Sequence, residues 1–64
     1  MDKLTLRGAR LAREMTQEQL AHECGVHVNT YIAWEKEPNK IPVGMALRIC
    51  EVLNTSIDHI IFCP

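Results

Sequence analysis

The chain has 64 residues, of which 47% are apolar and 23% charged, a composition typical of a folded globular domain rather than a disordered segment. Seven Lys and Arg against eight Asp and Glu give a formal net charge of −1, so bulk charge does not indicate a nucleic-acid partner. No apolar run approaches the roughly 18 residues of a membrane-spanning helix, and the N-terminus lacks the apolar stretch of a secretion signal. We expect one domain over residues 1–64, located in the cytoplasm.

The cysteines Cys24, Cys50 and Cys63 predict free thiols, because an odd number without a secretion signal argues against a disulfide framework. His22 and His27 flank Cys24 and suggest a metal site, but no second Cys pair is present to complete a tetrahedral zinc site. No spacing of nucleophile and base and no phosphate-binding loop appears either. The sequence therefore predicts no enzyme, no cofactor, no metal and no small-molecule substrate.

Periodicity predicts five helical segments and no strand, and therefore an all-α domain. The first segment covers about residues 3–14. Gly8 lies inside it and weakens it by up to ~1 kcal/mol relative to Ala, which suggests that another backbone passes close by. Leu6, Ala9 and Arg13 share one face of this predicted helix.

The second segment has the clearest start signal in the chain. Thr16 and Gln19 stand at the N-cap and N3 positions of a capping box, and Gly25 suits the left-handed residue that ends a helix. A third segment begins near His27 and ends near Lys36. Two short helices joined through a glycine predict a helix-turn-helix over about residues 16–36.

After a loop at residues 37–40, the fourth segment opens with Pro42 at its first position. Its predicted buried stripe repeats every three residues and has a second row beside it (Leu47, Cys50, Leu53; Ala46, Ile49, Val52). Asn54 can end this helix in the left-handed region. Ser56 is predicted to cap a last short helix over residues 57–62.

The run Thr16-Gln-Glu-Gln-Leu-Ala-His-Glu-Cys-Gly-Val26, followed by Asn29-Thr-Tyr31 and Trp34-Glu-Lys36, resembles the helix-turn-helix of phage repressor and Cro-type regulators, the XRE family. Residues 53–61 resemble the end of that family's fourth helix and its fifth helix. The resemblance implies a five-helix, lambda-repressor-like DNA-binding domain. It also implies a transcriptional regulator at the bacterial nucleoid that binds double-stranded DNA as a homodimer on two half-sites. Residues 4–10 resemble small phage-derived members, which suggests a prophage origin.

Base contacts are expected from the outward, N-terminal part of the third helix, which the resemblance places in the major groove. Asn29 can pair with the N6 and N7 edge of adenine, and Val28, Ile32 and Ala33 can contact thymine methyl groups. These residues predict an A/T-weighted half-site. The alternatives are a solvated amide for Asn29 and core packing for Val28 and Ile32.

Phosphate contacts are expected on both sides of that helix. Gln17 lies in the first turn of the second helix, where free N–H groups favour an anion, and the resemblance implies that a Gln here binds the DNA backbone. His27 stands where the family usually has a small hydroxyl residue, so it either weakens the cap or donates to a phosphate when protonated. Lys36, Asn39 and Lys40 follow the helix and either reach phosphates or remain solvated.

The resemblance also implies that Arg10 pairs with Glu35 and is aimed at the DNA phosphates. A purely structural ion pair is the alternative, and breaking such a pair when it is buried costs ~3–5 kcal/mol. Trp34 is expected in the core. Tyr31 is expected to pack inward with its hydroxyl at the edge.

Four apolar residues near the C-terminus exceed what one short helix can bury, and so predict a dimer patch: Ile57, Ile60, Ile61 and Phe62. A symmetric dimer would place its half-sites about 34 Å apart. The alternative is that this helix closes the monomer core. The alternative function is a protein-interaction module of the same fold, similar to an antitoxin or antirepressor.

Overall fold

The structure is a computed structural model that describes residues 3–62, except for the side chain at position 61. Four α-helices form the fold: α1 (Leu6–Ala12), α2 (Gln17–Cys24), α3 (Val28–Lys36) and α4 (Val43–Val52). Two 3-10 turns (Pro38–Lys40 and Ile57–His59) and two short strands, β1 (Leu4–Thr5) and β2 (Ile60–Ile61), complete it. No described helix has the length and apolarity that a membrane crossing requires. The predicted all-α class is confirmed, and the arrangement is consistent with a lambda-repressor-like fold.

The prediction of no strand was wrong. β1 pairs in parallel with β2, with Leu4 opposite Ile60 and Thr5 opposite Ile61. Two residues are too few to show the alternating pattern by which a strand is recognised in a sequence. This pairing joins the two ends of the described chain beside α1.

The first helix is shorter than predicted, because Thr5 fixes its start. The Thr5 hydroxyl accepts the N–H of Gly8 at 3.0 Å and so acts as the N-cap. A Cβ at Gly8 would lie 3.2 Å from that hydroxyl oxygen. The close neighbour of Gly8 is therefore the capping side chain, not another backbone.

The described residues contain no fifth α-helix. Ile57–His59 make one 3-10 turn, after which the chain extends into β2. Pairing with β1 requires extended backbone at Ile60, whereas a helix over 57–62 would turn those N–H and C=O groups back on themselves. The predicted fifth helix is thus replaced by a turn and a strand.

The predicted helix-turn-helix signals are confirmed in α2 and α3. Thr16 Oγ1 accepts the N–H of Gln19 at 3.0 Å, and Gln19 Oε1 accepts the N–H of Thr16 at 2.8 Å. Gly25 ends α2 with φ 71°, in the left-handed region. His27 is the N-cap of α3, which begins at Val28.

All four helices contribute to the core, and α4 faces it with most of the predicted residues, the exception being Leu47. The buried residues of α4 and its end are Ala46, Ile49, Cys50 and Leu53, which follow the helical spacing i, i+3, i+4, i+7. Leu47 is 49% exposed instead of buried. Pro42 is the N-cap rather than the first helical residue, and Asn54 follows the helix with φ 52°, as expected.

Candidate nucleic-acid interface

The N-terminal half of α3 presents a short row of side chains to solvent. Asn29 and Ala33, one helical turn apart, are exposed, and Ile32 beside them is half-buried. Val28 is half-buried and packs against the core, so its reach outward is limited. Thr30 is exposed as well and was not singled out from the sequence, although its place next to Asn29 in the first turn was a usable signal.

His27 caps α3 through its ring. Its Nδ1 accepts the N–H of Asn29 at 3.0 Å. A nitrogen that accepts cannot carry a proton, so the neutral ring has its proton on Nε2, which can still donate. The histidine therefore does not leave the helix uncapped, and it retains one donor without becoming protonated.

Gln17, at the first position of α2, is tied to α3. Its Nε2 donates to Glu35 Oε1 at 3.0 Å, and the residue is half-buried. The first N–H groups of a helix have no partner within the helix, so those of Gln17 and Glu18 are directed out of its end. The resulting end of α2 combines backbone donors with a side-chain amide that has a fixed position.

Glu35 is the centre of a network that joins α1, α2 and α3. Its Oε2 accepts from Arg10 Nε and from the Tyr31 hydroxyl, each at 2.7 Å, and its Oε1 accepts from Gln17 Nε2 and more weakly from Arg10 at 3.4 Å. Arg10 also donates to the carbonyl of Met15 at 2.7 Å. The Arg10–Glu35 pair inferred from the resemblance is thus formed, and both side chains are 7% exposed.

This geometry gives Arg10 a structural role. Its guanidinium is buried, and its donors are directed to Glu35 and to a backbone carbonyl. The guanidinium has five N–H donors, so one hydrogen on each of Nη1 and Nη2 remains after these bonds are made. Arg10 is therefore a structural residue, and its contact with a phosphate stays a prediction.

The protonation states of the network follow from its contacts. Burial raises the pKa of the Glu35 carboxyl, but the hydrogen bonds from Arg10, Tyr31 and Gln17 together outweigh it and hold that pKa below its usual range. The hydrogen bond to Glu35 raises the pKa of Arg10. Burial, followed by the bond to Glu35, raises the pKa of the Tyr31 hydroxyl, so it remains a neutral donor.

The candidate phosphate-binding side chains and the other basic side chains divide into exposed and bound groups. Lys36, Asn39 and Lys40 are exposed, and Lys40 forms an ion pair with Glu37 at 3.2 Å that is open to solvent and therefore weak. Arg7 is exposed too. Arg13 donates from Nε to the carbonyl of Leu53 at 2.6 Å and so binds the end of α4.

The predicted dimer patch is only partly at the surface. Ile60 is 2% exposed and lies in the core, so its assignment to the patch was wrong; its strand pairing turns it inward. Ile57 is 42% exposed and Phe62 is half-buried, while the side chain of Ile61 lies outside the described structure. Sequence reasoning missed Val43, which is 75% exposed.

An open apolar groove of about 430 Å³ runs beside these residues, between the first 3-10 turn, the start of α4 and the C-terminal segment. Val43, Ile57 and Phe62 line it, with Lys3 and Asp58 as charged members of the lining. We call the exposed residues Val43, Leu47 and Ile57, together with the half-buried Phe62, the C-terminal face.

No set of three or more His, Cys, Asp and Glu within the described residues is placed to hold a metal ion. Cys24 and Cys50 are buried free thiols, and burial raises the pKa of each. Protonated, buried thiols are poor nucleophiles and poor metal ligands.

Comparison with known proteins agrees with the geometry. The sequence pattern of the helix-turn-helix family matches residues 6–60. A curated relative, the uncharacterized HTH-type transcriptional regulator YobD of Bacillus subtilis (strain 168), is 32% identical over 56 residues, which cover 88% of this chain and 50% of the relative. The chain thus spans half the length of that relative. No solved structure matches the chain. With its capped α2, its glycine turn and its exposed α3, the chain belongs to the repressor and Cro-type helix-turn-helix family of DNA-binding transcriptional regulators.

Proposed function

We propose that the chain regulates transcription by binding specific sequences of double-stranded DNA, with α3 in the major groove. The observation that carries this proposal is the exposed pair Asn29 and Ala33 on a helix that is anchored at both ends. His27 caps its start, and Glu35 near its end is bonded to α1 and α2. A short helix anchored in this way can present base-reading side chains in a fixed orientation.

Sequence readout is assigned to four residues of α3. Asn29 pairs with adenine, and Ala33 and Ile32 contact thymine methyl groups, with Val28 contributing only through its exposed part. A good bidentate pair discriminates against the wrong base by about 1–3 kcal/mol, so Asn29 is expected to dominate specificity. The half-site is accordingly rich in A and T.

Phosphate binding is assigned to the two flanks of α3. Gln17 and His27 serve one flank through uncharged donors, and Lys36, Asn39 and Lys40 serve the other. With the net charge of −1 and Arg10 buried, few cations remain for counterion release. If Arg7, Lys36 and Lys40 each neutralise one phosphate, a dimer gives a slope of log affinity against log salt of about −5.

The regulator acts as a homodimer through the C-terminal face. Several large apolar side chains exposed together on a domain this small favour association. The groove lining carries one positive and one negative side chain, Lys3 and Asp58. A two-fold axis can bring each of these opposite the other in the second copy, which makes the face complementary to itself. The two copies then present their α3 helices to half-sites about 34 Å apart.

Selection of bound sites from a pool of random duplexes, at stated salt, tests the proposal. An enriched two-fold symmetric site with A/T-rich halves supports it, and the same selection with Asn29→Ala should relax the preference at one position in each half. No enrichment, together with tight co-purification of an unrelated polypeptide, would contradict it. That result would favour a protein-interaction module of the same fold.

A further inference from the structure

The Glu35 carboxylate does more than neutralise Arg10, because three different side chains donate to it. The Tyr31 hydroxyl and Arg10 Nε each donate to Oε2 at 2.7 Å, and Gln17 Nε2 donates to Oε1 at 3.0 Å. Tyr31 is completely buried one helical turn before Glu35 on α3. The carboxylate therefore cannot rotate without breaking bonds to three elements of the interface.

The bond to Glu35 also sets the orientation of the Gln17 amide. Because Nε2 donates one of its two hydrogens to Glu35, the nitrogen is held at that position and its second hydrogen is directed elsewhere. Gln17 lies at the end of α2, where the backbone N–H groups are directed outward. The second hydrogen can then bind the same anion as the backbone donors.

We infer that Tyr31 is a positioning residue for DNA binding and acts through Glu35 on Gln17. Its hydroxyl holds the carboxylate, the carboxylate holds the amide of Gln17, and the amide donates its remaining hydrogen to a phosphate. This inference rests on the proposed function, because it needs a phosphate at the start of α2. Arg10 supplies the positive charge that keeps the Glu35 carboxylate from repelling that phosphate.

The test is a double-mutant cycle with Tyr31→Phe and Gln17→Ala, measured as affinity for the selected duplex at a temperature where every variant is folded. Tyr31→Phe keeps the buried ring and removes only the hydroxyl. It should weaken binding about 3- to 10-fold per half-site, the effect of losing one hydrogen bond. In the Gln17→Ala background the same change should have less than about 2-fold effect.

Cys24→Ala is the matched control, since it removes buried volume outside the network. It should leave affinity within about 2-fold of the original protein under the same conditions. A spectroscopic readout that needs no DNA completes the design: in Tyr31→Phe, the side-chain amide signals of Gln17 should move towards solvent values. A merely structural role for Tyr31 would not change those signals.

Each outcome bears on a separate claim. Equal losses from Tyr31→Phe with and without Gln17, or unchanged Gln17 amide signals, would overturn the positioning role while base selection by α3 stands. Unchanged binding in Gln17→Ala would overturn it as well, because Gln17 would then contact no phosphate. If the unsubstituted protein showed no preference for any DNA site, the proposed function would be overturned instead.

Discussion

At the scale of single residues, the Glu35 network is expected to contribute strongly to stability. Arg10 and Glu35 are both nearly inaccessible to solvent, and among the described residues no buried side-chain nitrogen or oxygen lacks a hydrogen-bond partner. Removing one member of a buried ion pair leaves the other charged and unpaired, which costs far more than the pair contributes in net terms. Stability is therefore expected to be sensitive to the loss of either Arg10 or Glu35.

We expect Glu35→Gln to lower the free energy of unfolding by about 3–5 kcal/mol, because Arg10 stays buried without a counter-charge. Urea unfolding followed by circular dichroism measures it. Glu51→Gln is the control: its partner Arg48 lies 4.0 Å away and both side chains are largely exposed, so a loss below about 1 kcal/mol is expected. Equal losses in the two variants would contradict the assigned importance of burial.

The lowered pKa of Glu35 predicts how the free energy of unfolding depends on pH. Because the folded state lowers the pKa of Glu35, its contribution is fully present above the ordinary glutamate value of about 4.3 and is lost as pH falls further. The original protein should therefore lose stability more steeply below about pH 4.3 than Glu35→Gln does. Parallel curves for the two proteins in acid would refute the assignment.

Asn29 carries the residue-scale prediction for specificity. Asn29→Ala should cost about 1–3 kcal/mol on the selected site and little on a duplex with the adenine replaced, because only the base contact is lost. Asn39→Ala is the matched control, since loss of a phosphate contact should weaken both duplexes equally. Titrations of the two variants with both duplexes measure the difference, and a uniform effect of Asn29→Ala would show that it does not read a base.

At the scale of elements, α3 depends on a cap, His27, for which we also propose a phosphate contact. His27 Nδ1 accepts the N–H of Asn29, and Nε2 remains able to donate to an acceptor outside the helix. The proposed phosphate contact would therefore use a different ring atom from the cap. Substitutions can separate these two roles.

We expect His27→Ala to lower the free energy of unfolding by about 1 kcal/mol through loss of the cap, whereas His27→Asn retains stability because Asn is a good N-cap. Both variants should bind DNA more weakly, since neither has the Nε2 donor. Thermal unfolding and duplex titration measure the two effects. Full affinity in His27→Asn would show that the ring serves only as a cap.

At the scale of the whole molecule, the exposed apolar residues are unevenly placed. Val43, Leu47 and Ile57 belong to the C-terminal face, whereas Leu11, 51% exposed, lies on α1 outside it. A dimer that buries the C-terminal face would remove the larger apolar surface from water. This arrangement allows a matched pair of substitutions.

We expect Ile57→Glu to shift the protein to a monomer in sedimentation experiments, because it places a charge in the centre of the apolar contact. Binding to a duplex with two half-sites should fall more than tenfold, while binding to a single half-site changes little. Leu11→Glu should leave both properties unchanged. A monomeric Leu11→Glu would place the interface on α1 instead.

The sequence alone determined those features that depend on residues a few positions apart. Such local patterns predict the capping box at Thr16, the left-handed turn at Gly25 and the boundaries of α2 and α3. They also carry the resemblance to the family. Local hydrogen bonds form between neighbours in the chain, so their partners can be read directly from residue types and spacing. The link from Tyr31 to Glu35, at a spacing of four, was readable by the same rule.

Only the tertiary structure decided which side chains are buried and which face outward. Four features depend on residues that are distant in sequence. They are the burial of Arg10, the bond from Gln17 to Glu35, the inward turn of Ile60 and the exposure of Leu47. The apolar pattern of α4 permits more than one stripe to face the core, and a two-residue strand has no pattern at all. Such choices depend on how the helices pack together, which no local rule contains.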